Sequence, residues 1–373
     1  MRNSLLLAKI FGIEVRADFS WFLGVGLVIW SLGGHYFPMT YPELTGMDAW
    51  SLAVAAGVFA FVSIVIHELA HSLVSYATGN PVRVIVLHVF GGLAQLDREP
   101  KRARDEFLMA LAGPATSLIL ALGFGALGWA GPERVGLKLA AFGRWLGMIN
   151  LVIAAFNMVP GFPLDGGRVL RSIVWGLTGS FKRATQTAGI IGQIAAFALI
   201  ALGIIQVFRG NWADGLWIAF IGWFLHSAAG QAIARVALDD ALAGQTAADV
   251  MMTDCPHVSP VLTLAKLVTD VAIPSGRRCF PVMGGDRVTG LITLHEVINV
   301  PRTEWPHTTV GSAMRLFKDL ETVAPETPLA EVLARMAKAD VAQIPVVQQG
   351  RLRGMVARDR ILAFLQARHE LGV

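Results

Sequence analysis

The run His67-Glu68-Leu69-Ala70-His71 sets two imidazoles four residues apart, with a carboxylate beside the first. On an α-helix, residues i and i+4 share a face, so both rings project together. Two imidazoles on one face can ligate zinc, and the adjoining Glu68 can act as general base on zinc-activated water. A catalytic zinc needs a third protein ligand and one open coordination position. Asp165 is the best candidate, in the stretch Asn157-Met158-Val159-Pro160-Gly161-Phe162-Pro163-Leu164-Asp165-Gly166-Gly167-Arg168. Taken without the histidines, Asp165 reads better as a helix N-cap ahead of its two glycines.

The surrounding sequence gives these residues an unusual setting. Of 373 residues, 54% are hydrophobic and 16% charged, and the mean hydropathy is +0.56. Ordinary soluble domains are about 45–50% apolar and about 25% charged. The shift excludes a typical soluble enzyme and points to a membrane protein. A net charge of +4 and a pI near 9.3 do not indicate nucleic-acid binding, because the basic residues collect in loops between apolar runs.

Six apolar segments are long enough to span a bilayer, which takes about 20 helical residues. They lie near 19–37, 51–78, 106–131, 136–160, 186–208 and 212–235. Arg2, Lys9 and Arg16 precede the first. Arg83, Arg98, Lys101, Arg102 and Arg104 follow the second, and Arg168, Arg171, Lys182 and Arg183 follow the fourth. The intervening loops are poor in Lys and Arg, so both termini are expected on the cytoplasmic side. The histidines then lie toward the cytoplasmic end of the second span, and Asp165 just past the cytoplasmic end of the fourth. The two can meet at one depth. A short helix is predicted over 166–178, and its N-terminal dipole favours a carboxylate at Asp165. Three ionisable residues within five positions of a membrane helix are costly unless functional. The competing view, a polar cluster that glues helices together, more often uses Ser, Thr or Asn.

Residues 82–96, apolar and β-branched with Gly91-Gly92, are too short to span and predict a β-hairpin or re-entrant loop. An exposed strand there could hold an unwound substrate by β-addition, with Gly91 and Gly92 as candidate substrate-binding positions. Beyond Arg235 the composition turns polar, and two similar stretches of about 60 residues each suggest paired α/β modules. The expected fold class is therefore an α-helical polytopic membrane domain with a membrane-associated β-hairpin, plus a cytosolic α/β tandem module. The expected boundaries are 1–238 for the membrane domain, 239–245 for a linker, 246–303 for the first module and 304–373 for the second. Cys255 and Cys279 are expected to be free thiols in a reducing compartment, and no cleavable signal peptide is expected. His35, His88 and His226 read as structural contacts.

These motifs together resemble the site-2 protease family of intramembrane zinc metalloproteases, in the bacterial and archaeal branch with a C-terminal pair of CBS domains. The resemblance implies one catalytic Zn2+ held by His67, His71 and Asp165, with Glu68 as catalytic base. It implies that Asn157 positions the substrate or stabilises the oxyanion. Substrates of that family are transmembrane segments of membrane-bound regulators, or remnant signal peptides, and the setting would be the inner (cytoplasmic) membrane. CBS motifs that bind adenosine nucleotides read G-h-h-[ST]-x-x-[DE]. The first copy fits at Gly290–Glu296, which makes Thr293 and Glu296 candidates to bind ATP or AMP; the second copy has Ala357 and Arg360 in those places. A homodimer or higher assembly through the CBS pair is expected, and no nucleic-acid partner. The competing function is a CBS-gated transporter or channel with a metal site. Transporters commonly show two similar halves, and residues 1–235 show none. An inactive relative is a third reading, disfavoured by the intact His-Glu motif and Asp165.

Overall fold

The computed structural model describes residues 4–88, 91–96, 100–285 and 287–371. Arg2 and Arg98, two of the residues used for orientation, lie outside the described residues. The chain divides into two units, Met1–Val236 and Ala237–Val373.

The first unit opens with strands β1 (Ser4–Ile10) and β2 (Ile13–Asp18). Then come α1 (Phe19–Thr40), α2 (Met47–Ala77), β3 (Val82–His88) and β4 (Gly91–Leu96). Helices α3 (Ala103–Trp129), α4 (Leu137–Asn157), α5 (Asp165–Thr178), α6 (Phe181–Phe208) and α7 (Trp212–Leu242) follow. All of these helices except α5 are long and apolar enough to cross a membrane, six in all among the described residues, and they coincide with the six expected segments. Small residues let α3 and α4 touch closely. A Cβ on Gly147 would meet the backbone of Gly125, and one on Gly143 the backbone of Gly128. Such contacts are how helices gain packing where lipid removes the hydrophobic drive.

The expected hairpin over 82–96 is present, but it is half of a larger sheet in the order β1-β2-β3-β4. Sequence reading missed the N-terminal hairpin. Its turn, Phe11-Gly12, takes positive φ at both residues (51° and 85°), as tight hairpin turns require. Ile13, Val15 and Ala17 alternate inward and are buried, the period of two that a half-buried strand needs. Strand β2 runs parallel to β3, and β3 antiparallel to β4. The sheet core packs Ile13, Val15, Val82, Ile85 and Leu87 onto Ile64, Val65 and Leu69 of α2. It is therefore clamped against the turns of α2 that carry His67 and Glu68. Because β3 lies between β2 and β4, the outer strand on this side is β4.

Helix α7 continues to Leu242, so the polar stretch expected as a linker begins inside a helix. The second unit holds two hairpins of matching register. One is β5 (Cys279–Gly284) with β6 (Arg287–Thr293), the other β8 (Gln343–Gln348) with β9 (Arg351–Ala357), and the short β7 (Arg315–Leu316) adds to β6. Pro281 pairs with Leu291 in the first hairpin as Pro345 pairs with Met355 in the second, and each has a bulge one step further on.

The two copies exchange their leading segments. Ala247 and Val250, which open the first copy, pack with Val323, Leu329, Ile344 and Ile361 of the second. Val310, which opens the second, packs with Val258, Leu264, Phe280 and Ile292 of the first. Bridges Thr246–Pro328 and Thr263–Thr309 accompany these exchanges. The boundaries read from sequence follow chain order, whereas each hydrophobic core draws on both copies.

Candidate active site

His67 and His71 project from the last third of α2, one turn apart, with ring centroids 4.9 Å apart. Asp165 is the first residue of α5. Its Oδ2 lies 3.1 Å from Nε2 of His67 and 3.2 Å from Nε2 of His71. The two Nε2 atoms are 3.2 Å apart. The carboxylate thus engages the histidines rather than capping its own helix, whose N-cap position is Leu164. His67 is buried, and His71 and Asp165 nearly so.

The outer nitrogen of each ring is tied down. His71 Nδ1 lies 2.6 Å from the carbonyl oxygen of Met109. A carbonyl only accepts, so this nitrogen carries a proton and donates. That leaves Nε2 of a neutral His71 as a lone pair aimed at the cluster. His67 Nδ1 lies 2.8 Å from the hydroxyl of the fully buried Ser117. Met109 and Ser117 both belong to α3, where Pro114 lacks the N–H that would bond the Ala110 carbonyl.

Three acceptor atoms converging this closely repel one another unless a cation lies among them. A proton on His67 Nε2 would satisfy one contact; a metal ion satisfies all three. Two imidazoles and one carboxylate within 4.8 Å of one another, each imidazole oriented by an outer partner, fit the donor set of a zinc site with one position open. Gly113 makes the space: a Cβ there would collide with Nε2 of both histidines. Sequence reading missed Met109, Gly113 and Ser117. The run Gly113-Pro114 within an apolar helix was the available signal, since both residues are out of place in a helix built for packing alone.

Glu68 follows His67 on α2 and backs onto β4. A Cβ on Gly92 would overlap Cγ of Glu68 and lie 2.8 Å from its carboxyl carbon. Gly91 pairs with His88 at the start of β4. Asn157 is the last residue of α4 and half-buried. The loop after it folds back so tightly that a Cβ on Gly166 would strike the backbone of Met158 and Val159. That contact brings the start of α5 alongside the end of α4.

The sequence profile of peptidase family M50 matches residues 55–135 and 133–202, which hold His67, Glu68, His71 and Asp165. A protein named "Putative zinc metalloprotease" from Synechocystis sp. is 35% identical, over 98% of this chain and 96% of its own. Another of that name from Mycobacterium tuberculosis is 33% identical, over 94% and 89%. The chain belongs to peptidase family M50. As a family M50 protein with six helices able to cross a membrane, it is a multi-pass membrane zinc metalloprotease, which sets aside the transporter reading. Among solved structures, the site-2 protease from Methanocaldococcus jannaschii aligns with 26% identity, 62% of this chain, 95% of that chain and a TM-score of 0.43.

In this M50 chain the CBS domain profile matches residues 310–367, and the first copy repeats its hairpin. Thr293 and Glu296 line a cavity of about 500 Å³ in the second unit, with Arg278, His295, Arg315 and Asp340. They are already partners. Glu296 accepts from the Thr293 N–H at 3.0 Å and from its hydroxyl, closing a capping box, and from Nε of Arg315 at 2.7 Å. Burial raises the Glu296 carboxyl, but the Thr293 hydrogen bonds and the Arg315 cation outweigh it and hold the group below the usual carboxylate range.

Proposed function

We propose that this chain is an intramembrane endopeptidase that cuts transmembrane segments of membrane-bound regulators or remnant signal peptides. His67, His71 and Asp165 hold the zinc and Glu68 is the general base. The observation that carries the proposal is the convergence of three donor atoms, two from one turn of a membrane-length helix and one from the start of α5, with Glu68 beside them and facing β4. When bound, zinc supplies a Lewis acid that acidifies water and polarises a carbonyl oxygen.

The protein's own residues do the rest. Glu68 takes a proton from the attacking water and passes it to the departing amine, which general acid–base catalysis requires of one group in turn. A transmembrane substrate is helical, so its peptide groups are bonded internally and must be unwound before attack. Strand β4 offers the unwound segment new main-chain partners by β-addition. Gly91 and Gly92 lie at its start, and Gly92 keeps the backbone close to Glu68. Asn157 donates its side-chain N–H to the oxyanion. The excess of Lys and Arg beside the second and fourth spans orients the site toward the cytoplasmic face of the inner membrane, with both termini inside.

The cavity at Thr293 and Glu296 is the proposed seat of ATP or AMP, at one site in the pair, through which nucleotide modulates cleavage. Its volume suits a small ligand, and Arg278 and Arg315 supply cationic groups for phosphate.

The deciding experiment uses purified full-length protein in detergent and a panel of transmembrane peptides. Glu68→Gln is expected to retain zinc and to lose cleavage by about 10²–10⁴-fold, the usual share of a general base. Cleavage at the wild-type rate would reject the assignment of Glu68. Nucleotide binding by calorimetry on the wild type, lost in Thr293→Ala, checks the regulatory part.

A further inference from the structure

Helix α3 carries a buried acid that catalysis does not use. Glu106, in its first turn, is wholly buried. Its Oε1 accepts from Nε of Arg171 at 2.7 Å and from the terminal nitrogen of the same side chain. The Arg171 guanidinium also lies over two rings, Phe162 at 5.1 Å and Phe181 at 4.5 Å. Arg168 approaches the same carboxylate oxygen at 3.8 Å.

Arg171 sits on α5, six residues beyond Asp165. Glu106 sits on α3, seven residues before Gly113, which abuts both histidines. At 1.5 Å per residue these are about 9 Å along α5 and about 10 Å along α3. The two helices are therefore pinned at two points separated by nearly the same length: the histidine–aspartate cluster at one end and the Glu106–Arg171 pair at the other. Along α3, the positions 106, 113 and 117 fall on one stripe. That stripe carries Glu106, the glycine that clears the cluster and the serine that orients His67.

We propose that Glu106 and Arg171 are positioning residues that fix the reach of Asp165 to the metal, an inference that rests on Asp165 being a zinc ligand. Two N–H groups of one guanidinium converging on a single carboxylate oxygen set both the depth and the rotation of α5, and the two rings hold the guanidinium in place. Without the pair, α5 keeps its packing but Asp165 loses its fixed distance from the histidines.

The test separates this role from plain stability. The double variant Glu106→Gln/Arg171→Met removes both charges together, leaves the net charge unchanged and strands neither member of the pair as a lone buried ion, so it is expected to fold. Full-length protein in detergent is loaded with Zn2+ or Co2+. The double variant is expected to melt close to the wild type yet to release metal to a chelator about tenfold faster or more, the scale of lost outer-shell support. Its Co2+ visible spectrum should shift, and kcat should fall with KM little changed. Arg171→Lys, which keeps the charge but not the fork, should fall between. Wild-type release rates and spectrum in the double variant overturn the proposal, as does wild-type release in Arg171→Lys should the double variant not fold. Asp165→Ala is the control. If it holds metal as tightly as wild type, the ligand assignment itself has failed. If it loses metal while the pair variants do not, only the positioning role has failed.

Discussion

Ser117 stands 2.8 Å from Nδ1 of His67, fully buried, fifty residues away along the chain. An imidazole that ligates through Nε2 needs a partner for its other nitrogen, and here a membrane helix supplies a hydroxyl where an acceptor is wanted. Ser117→Ala deletes one oxygen and leaves little cavity. It is expected to weaken zinc binding about 10–100-fold while α-helical content is unchanged. A competition titration with a metallochromic chelator measures this, and an unaltered affinity would show the contact to be incidental.

Gly113 has the opposite function, that of leaving room. Gly113→Ala places a methyl on both Nε2 atoms, so the histidines must turn away from Asp165. Purified protein is expected to contain far less than one zinc per chain by elemental analysis, with the helical circular-dichroism signal intact. Full zinc occupancy in this variant would contradict the geometry described above.

Gly92→Ala tests the neighbourhood of Glu68 rather than the metal. The added methyl meets Cγ of Glu68 and displaces its carboxylate. Zinc content should stay at the wild-type level while kcat falls about tenfold or more, as expected when a general base is moved from hydrogen-bond reach. Loss of metal instead would mean that β4 supports the ligands themselves.

A fourth expectation concerns pH and the second unit. The folded Glu296 carboxyl lies below its ordinary value of 4.5, so below that pH the unfolded chain binds more protons than the folded one. Stability then falls as pH falls. Its contribution is fully present above about pH 4.5 and drains away as pH drops through the lower folded value. Hydrogen exchange over residues 279–298, corrected for intrinsic rates, should show protection falling on acidification below pH 4.5 in the wild type. The fall should be shallower in Glu296→Gln. Identical profiles would remove Glu296 from the acid response.

Much of the membrane unit was legible because its signals are local. Six apolar runs, and a histidine pair at helical spacing inside one of them, need no knowledge of distant partners. Asp165 could be nominated once the histidine pair called for a third ligand, since two spans of the same direction end at the same side and a short helix follows it. The outer partners of the histidines could not. A serine in an apolar helix is unremarkable until the fold sets it against His67, and Met109 contributes only a backbone oxygen. Strand β1 was hidden for another reason. Leu5, Leu6 and Leu7 are all exposed, so no alternation marks the strand, and the readable period of two belongs to β2 alone. The arginine–glutamate pair was split between a charge cluster assigned to orientation and the start of a span. The crossing of the two CBS copies followed from no repeat pattern, because a repeat gives the content of each copy and not which core its first helix joins.

That crossing makes the second unit a knot of mutual dependence. The segment that begins the first copy completes the core of the second, and the segment that begins the second completes the core of the first. A nick or truncation between the copies therefore liberates no intact module; it strips one essential wall from each. Whatever loosens the packing of one half therefore removes contacts from the other.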